Sequence, residues 1–539
     1  MAGSSGGESR GAGGASGGAS STGGTGGGTS NSCLTGGRGA HYVDSASGSD
    51  AADGGSPTSA WKTLTPVNRT TFQPGDALCF HAGGAWTGQL SPKGSGDATA
   101  PIIIDQYGVG GRPRIAAGSG DLQALLLQNV QYWEVNHLEL TNQQAAPGDY
   151  RGISVRGKDV GELNHVYVRD CFVHDVNGVV NWIGGSVDDN QPPWVTFETG
   201  WDASKRTGGI VVEVESANGT KTWFNDVRIE NNVIQDTSFA GIVFKQLDGG
   251  YGWGVRASRS DSKFTPHTNI AIANNYVSQT NAKYGCNSIY LTGAQHVVIE
   301  RNVCQDSGTS AIEAYNADDL HIQYNETFGT VQKAGGADSN GIDTDRATTG
   351  AIVQYNYVHD NGDGILLCQF AFGDSVVRYN LILNNSRYAL NLHSDSSATN
   401  QTYNNLFYLQ TSRGDLVGSS GGATYLASPY TISNNIFSSN RAAAAITSGT
   451  GTRYTNNLFS GVAASGSAAQ TGDPLFIDAS ARPSGDKSGP ALAALQGFQL
   501  KAGSPALNHG AVLANNGGRD FWGDALYNGA PDIGPFERP

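Results

Sequence analysis

Short runs in which apolar and polar residues alternate recur along almost the whole chain, and they return at a near-constant interval. One run opens with an aliphatic residue in second place: GISVRG, GIVVEVE, GIVFKQ, SIYLTG, AIEAYN, GIDTDR, GILLCQ and ALNLHS, with Ile153, Ile210, Ile242, Ile289, Ile312, Ile342, Ile365 and Leu390 in that place. A period of two buries these residues and those two further on, and turns the residues between them outward. A second run carries an asparagine column: IENNVIQD from Ile229, IANNYVSQ from Ile272, IERNVCQD from Ile299, IQYNETFG from Ile322, VQYNYVHD from Val353, VRYNLILN from Val377, TYNNLFYL from Thr402, ISNNIFSS from Ile432 and YTNNLFSG from Tyr454. The asparagines are Asn232, Asn275, Asn302, Asn325, Asn356, Asn380, Asn405, Asn435 and Asn457, and Cys171 of VRDCFVHD takes the place of an earlier member. Such a repeat predicts an all-β right-handed parallel β-helix, one coil of short strands per repeat. Amides stacked at a tight bend satisfy one another, so the column is read as scaffold rather than site.

The repeat divides the chain into a Gly/Ser-rich tether over 1–40, an N-terminal cap with first coils over 41–115, the helix proper over 116–465 and a C-terminal capping segment over 466–539. The tether (GGASGGASSTGGTGGGTS) has nothing to bury. Its position after Met1 suggests a removed export signal, and the expectation is a secreted or cell-surface-tethered protein. A net charge of −14 argues against nucleic acid, and no apolar run suffices for a membrane span. The six cysteines form neither a zinc motif nor a dense disulfide framework, leaving room for one or two bridges.

The ladder and coil-start columns resemble the pectin-lyase-like superfamily. HYVDSASGSDAADGGSPTSAWKTL resembles the segment that opens many of its secreted carbohydrate-active members. GDPLFIDAS, FQLKAGSPALNHG and PDIGPFERP resemble the segment that closes them. The resemblance implies the fold and a polysaccharide or oligosaccharide partner, with a monomer expected. The superfamily hosts hydrolases, lyases, epimerases and adhesins, so function has to be argued from the outer face.

The first outward column reads Ser154, Val211, Val243, Tyr290, Glu313, Asp343, Leu366 and Asn391, and the second Arg156, Glu213, Lys245, Thr292, Tyr315, Asp345, Cys368 and His393. Glu313, Asp343 and Asp345 therefore fall on two adjacent coils of one face, and Asp363 at the next turn can lean toward them. Crowded carboxyls suit glycoside hydrolysis, one protonated and another ionised. The competing reading is a merely solvated acidic face or a set of calcium ligands. Glu213, Lys245, Tyr290, Tyr315 and His393 are candidate substrate contacts. Trp253, Arg256 and Trp223 join them from inserted loops expected to wall the stripe, where aromatic faces meet sugar rings. Arg256, Arg259 and Lys263 make part of that wall positive and suggest an acidic glycan.

The stretch SNGIDTDRATTGAIVQYNYVHDNGDGI resembles a polygalacturonase pattern near Asp343 and Asp363. Asn340 and Gly362, however, stand where that pattern has aspartates, and its GHG and RIK motifs are missing. A glycoside hydrolase requiring no cofactor is the first expectation. A polysaccharide lyase acting on a uronate glycan comes second, with Lys245 or an arginine as base and Glu213, Glu313, Asp343 and Asp345 as calcium ligands. A non-catalytic glycan-binding surface protein is third.

Overall fold

A computed structural model describes residues 33, 39–182, 195–197, 205–246, 256, 258–282, 286–333, 336–370, 372–527 and 529–538. Its strands pair in parallel into a 22-stranded sheet and a 14-stranded sheet, which together wind a right-handed β-helix. The larger sheet comprises two stacks that meet at a bend. Asn287–Glu300 and Ser310–Gln323 are single 14-residue strands that run through both stacks.

The stack carrying the coil-start runs includes Arg151–Lys158, Gly208–Glu215, Ala240–Gln246, Asn340–Asp345, Asp363–Cys368 and Tyr388–Leu392. Ile153 pairs with Ile210, and the line continues through Ile242, Ile289, Ile312, Ile342 and Ile365 to Leu390. Every one of these side chains is fully buried. Parallel strands in register superpose like side chains about 4.8 Å apart, so each aliphatic row packs on itself down the axis.

At the bend before the 14-stranded sheet the asparagine column closes. Asn325 donates through its backbone N–H and Nδ2 to Asn356 Oδ1 at 2.9 and 3.0 Å, and accepts the same pair of bonds from Asn302 at 3.0 and 2.9 Å. The chain of bonds runs from Asn232 to Asn457, and Cys171 donates its N–H to Asn232 Oδ1 at 3.0 Å. The residue before each ladder position adopts the left-handed conformation, including Arg301, Tyr324, Tyr355 and Tyr379 with φ between 49° and 58°. Such bulky residues resist that conformation. Stacking offsets part of the cost, with ring centres 5.0 Å apart for Tyr324 and Tyr355 and 6.0 Å for Tyr355 and Tyr379.

The helix Leu64–Arg69 buries Leu64 and Val67 against the N-terminal end of the core, and a Cys33–Cys79 disulfide ties the chain ahead of it to the strand Ala77–His81. Beyond residue 470 the chain turns back along the outside of the coils. Phe498, Phe521, Ile533 and Phe536 pack with Tyr355, Tyr379 and Tyr403. The buried Glu326 carboxylate accepts the N–H groups of Gly485 and Ala491 at 2.7 and 2.6 Å. Among the described residues, no helix is long and apolar enough to cross a membrane.

Candidate active site

In the outward columns of the coil-start stack Tyr290 pairs with Glu313, Glu313 with Asp343, and Asp343 with Leu366. Asp345 lies two residues along the same strand and pairs with Cys368. The strand period carries Asp343 and Asp345 on one face, and the register sets Glu313 beside them, one coil away.

All three side chains turn away from the aliphatic core, but the wet face expected from the sequence is not what surrounds them. Asp343 is 2% exposed, Glu313 4% and Asp345 6%. Tyr290, Tyr315, Val243 and Phe239 form a small apolar cluster on this outer side, and the Lys205 ammonium lies 4.3 Å from the centre of the Tyr290 ring. Glu313 is held by Lys205 Nζ at 3.4 Å and by Asn287 Nδ2 at 2.9 Å. Asp343 has only long contacts from Ser310 Oγ and Asn340 Nδ2, both 3.5 Å, and its Oδ1 finds no hydrogen-bond donor among the described residues. Asp345 Oδ1 accepts the Arg346 N–H at 2.6 Å.

Dehydration and like charge act together here. Burial, reinforced by the charges of Asp345, Glu313 and Asp338, holds the Asp343 carboxyl well above the ordinary carboxylate range against the pull of Lys205. Burial and then the Glu313 charge push Asp345 up to about 7. Asp338, in the segment leading into Asn340–Asp345, is pushed up to about 6 by burial and then by Glu313, although part of its surface stays exposed.

Asp363 does not join this group as a free acid. Fully buried, it takes a two-pronged ion pair from Arg387, with Nε at 2.7 Å from Oδ1 and Nη2 on Oδ2, and accepts Asn391 Nδ2 at 2.7 Å. Glu213 lies three coils before Glu313 in the stack, and it too is committed. Burial alone would raise its carboxyl, but Arg151 and Arg206 outweigh that and hold it below the usual range, with Arg206 Nε at 3.2 Å. Lys245 is buried beside Glu213 in the same column. Tyr315 is buried next to the carboxyls, and His393 sits half-exposed two coils beyond Asp345.

Two of the three cations expected to make a positive wall are paired with aspartates. Arg256 forks onto Asp318, with Nη1 to Oδ2 at 2.8 Å and Nη2 to Oδ1 at 2.5 Å, and lies over the Phe264 ring; Arg259 pairs with Asp374. Trp223 lies on Thr222–Glu230, a strand of the neighbouring stack and not of the one that carries the carboxyls. Trp253 falls outside the described residues, as do Trp194 and Trp201. Among the described residues, no group of three or more His, Cys, Asp or Glu side chains is disposed to hold a metal ion.

Lys205, Asp338 and Arg387 carry weight here that the sequence did not reveal. Lys205 and Asp338 lie in segments without periodicity, where nothing fixes orientation. Arg387 stands 24 residues after Asp363, one coil on, so pairing along the axis was the signal that could have found it.

Residues 251–407 match the family described as right handed beta helix region. The chain is 26% identical, over an alignment of 612 positions covering 92% of it, to the lacto-N-biosidase of Bifidobacterium longum subsp. longum. It spans about a third (36%) of that relative's length. The crystal structure of a lacto-N-biosidase from Eubacterium ramulus matches 70% of this chain and 64% of its own, at 21% identity and a TM-score of 0.55. The selenomethionine form of that protein matches 71% and 67%, at 20% identity and a TM-score of 0.50. These structural likenesses establish the fold.

Proposed function

We propose that the protein is a glycoside hydrolase whose reaction centre is the carboxyl group cluster of Asp338, Asp343, Asp345 and Glu313. The observation that carries this reading is three carboxyls crowded and dehydrated on one outer face, Glu313 paired with Asp343 across coils and Asp345 two residues along the same strand. A group that donates and recovers a proton works best when its pKa lies near the working pH. Asp338 at about 6 and Asp345 at about 7 meet that condition. One donates its proton to the leaving glycosidic oxygen as the bond to the anomeric carbon breaks; a water molecule bonds to that carbon in its place and gives a proton back to the carboxyl cluster. The other, ionised, supplies the negative charge that an oxocarbenium-like transition state requires. Glu313, tied to Lys205 and Asn287, positions the cluster and keeps a fixed anion beside it, while Asp343, held neutral, serves as a hydrogen-bond donor.

The similarity to a lacto-N-biosidase supports a glycan substrate and makes lacto-N-biose-terminated oligosaccharides the first compounds to try. With Arg256 and Arg259 committed to aspartates, a neutral glycan suits the site better than an acidic one. The Cys33–Cys79 bridge supports an exported protein, since disulfides persist in oxidising compartments. The test is incubation with a panel of neutral and uronate-containing oligosaccharides, following new reducing ends and ultraviolet absorbance together. Reducing ends without an absorbing product, lost in Asp345→Asn and Asp338→Asn, are the expected result. An unsaturated, absorbing product would replace hydrolysis by elimination, and activity persisting in both variants would move the site elsewhere.

A further inference from the structure

Two coils beyond Asp345, on the same outer face, three rings stand apart from the hydrophobic core. His393 and Tyr425 stack with centres 4.2 Å apart at 22°, and Phe370 meets both edge-on, at 5.6 Å from His393 and 5.4 Å from Tyr425. Each keeps part of its surface in solvent. The second outward column leads straight to them: Asp345 pairs with Cys368, and the His393 N–H continues the ladder by donating to Leu367 O at 2.9 Å. Two coil spacings place His393 about 10 Å from Asp345 along the axis.

One of the rings, His393, is held by a continuous chain of hydrogen bonds. Arg387 pairs with Asp363, Asp363 Oδ2 accepts Asn391 Nδ2, and Asn391 Oδ1 accepts the Ser420 N–H at 3.0 Å and the Ser420 hydroxyl at 3.3 Å. Ser420 Oγ lies 2.6 Å from His393 Nδ1. His393 Nδ1 is thus occupied by Ser420. Burial and the nearby Arg387 charge lower the His393 pKa, in keeping with a neutral ring. Arg387 spends Nε and Nη2 on Asp363, and Nη1 remains on a guanidinium 43% exposed. Flat rings for the C–H face of a sugar, with the Arg387 donor at their rim and a hydrogen-bonded support beneath His393, make a preorganised carbohydrate subsite.

We propose that Phe370, His393 and Tyr425, rimmed by Arg387, bind one pyranose unit of the glycan whose neighbouring bond is cut at the carboxyl cluster. This rests on the hydrolase reading of that cluster, and it explains why Asp363 is buried and paired rather than available: it positions Arg387 and, through Asn391 and Ser420, His393. The experiment is titration of a lacto-N-biose-terminated tetrasaccharide into Asp345→Asn protein by calorimetry. Tyr425→Ala or His393→Ala in that background should weaken binding about tenfold or more, with Tyr425→Phe restoring it to within about threefold. Thermal midpoints of each variant identify any that fails to fold, and the remaining ones decide. Unchanged binding in folded Tyr425→Ala and His393→Ala proteins overturns the subsite, as does failure of Tyr425→Phe to restore it. Cleavage by the wild-type protein is scored separately. Binding that depends on Tyr425 without any cleavage overturns the hydrolase reading and leaves the subsite, whereas cleavage with binding indifferent to Tyr425 does the reverse.

Discussion

Replacing Asp345 by Asn should make the protein more stable and nearly inactive, and the gain in stability should grow with pH. The carboxyl titrates at about 7 in the folded chain against an ordinary 3.8. Below pH 3.8 both states hold the proton and the site costs nothing. Between 3.8 and 7 the folded state keeps a proton that the unfolded state has released, so stability falls as pH rises; above 7 the loss is constant. The full difference corresponds to about 4 kcal/mol, and at pH 5 to roughly a third of that. Asn removes the ionisation, retains an oxygen for the Arg346 N–H and relieves the like charge on Asp343 and Glu313. Denaturant midpoints of wild type and variant at pH 5 and pH 8 measure the effect, and turnover should fall about a thousandfold. A gain of equal size at both pH values, or a loss at pH 8, would refute the argument that crowding and dehydration strain this carboxyl.

Asn325→Ala should cost about 3 kcal/mol, because inside a dry bend Asn302 N–H loses its acceptor, Asn302 Nδ2 loses one of its two, and Ile299 O and Asn356 Oδ1 lose the Nδ2 donor; a denaturation midpoint reads it. Asp363→Asn should raise KM while leaving kcat within a few-fold, the pattern of a lost positioning contact; a fall of a hundredfold or more in kcat would make Asp363 a proton donor instead. Turnover in excess EDTA should match turnover without it, since the proposed carboxyl mechanism gives no step to a metal ion, and a reversible loss restored by calcium would change the mechanism. The wild-type pH–rate profile, measured as kcat/KM from pH 4 to 9, should show a limb near pH 6 from Asp338, and a profile flat through that range would take Asp338 out of the reaction.

The fold was legible because a repeat states the same physical requirement many times. Ile153 to Leu390 had to share one row, and Asn232 to Asn457 one bend, since a period of two and a coil of near-constant length leave no other arrangement. The neighbourhood of Glu313, Asp343 and Asp345 followed from the same register. Their burial did not, because whether an outward side chain meets water depends on what covers the sheet, and Lys205 comes from a segment that obeys no period. Asp363 and Glu213 were legible as acids but not as partners. Charge pairing depends on side-chain reach across coils: Arg387 reaches Asp363, and Arg206 reaches Glu213, where the alternation of strands says only that each residue points out. The arginines of the inserted loops taught the same lesson in reverse, since Asp318 and Asp374 silence cations that looked free along the chain.

Strands paired residue for residue, coil on coil, give the molecule a graduated ruler for its substrate. The gap between the carboxyls and the His393 ring is set in whole coils, so evolution or an engineer can alter it only in steps of about 4.8 Å. Inserting one coil between the strands Asn340–Asp345 and Asp363–Cys368 would move the gripping rings one graduation away from the carboxyls, with Asp363 and Phe370 kept in place and the carboxyl register untouched. The length of glycan held is thereby separable from the chemistry applied to it.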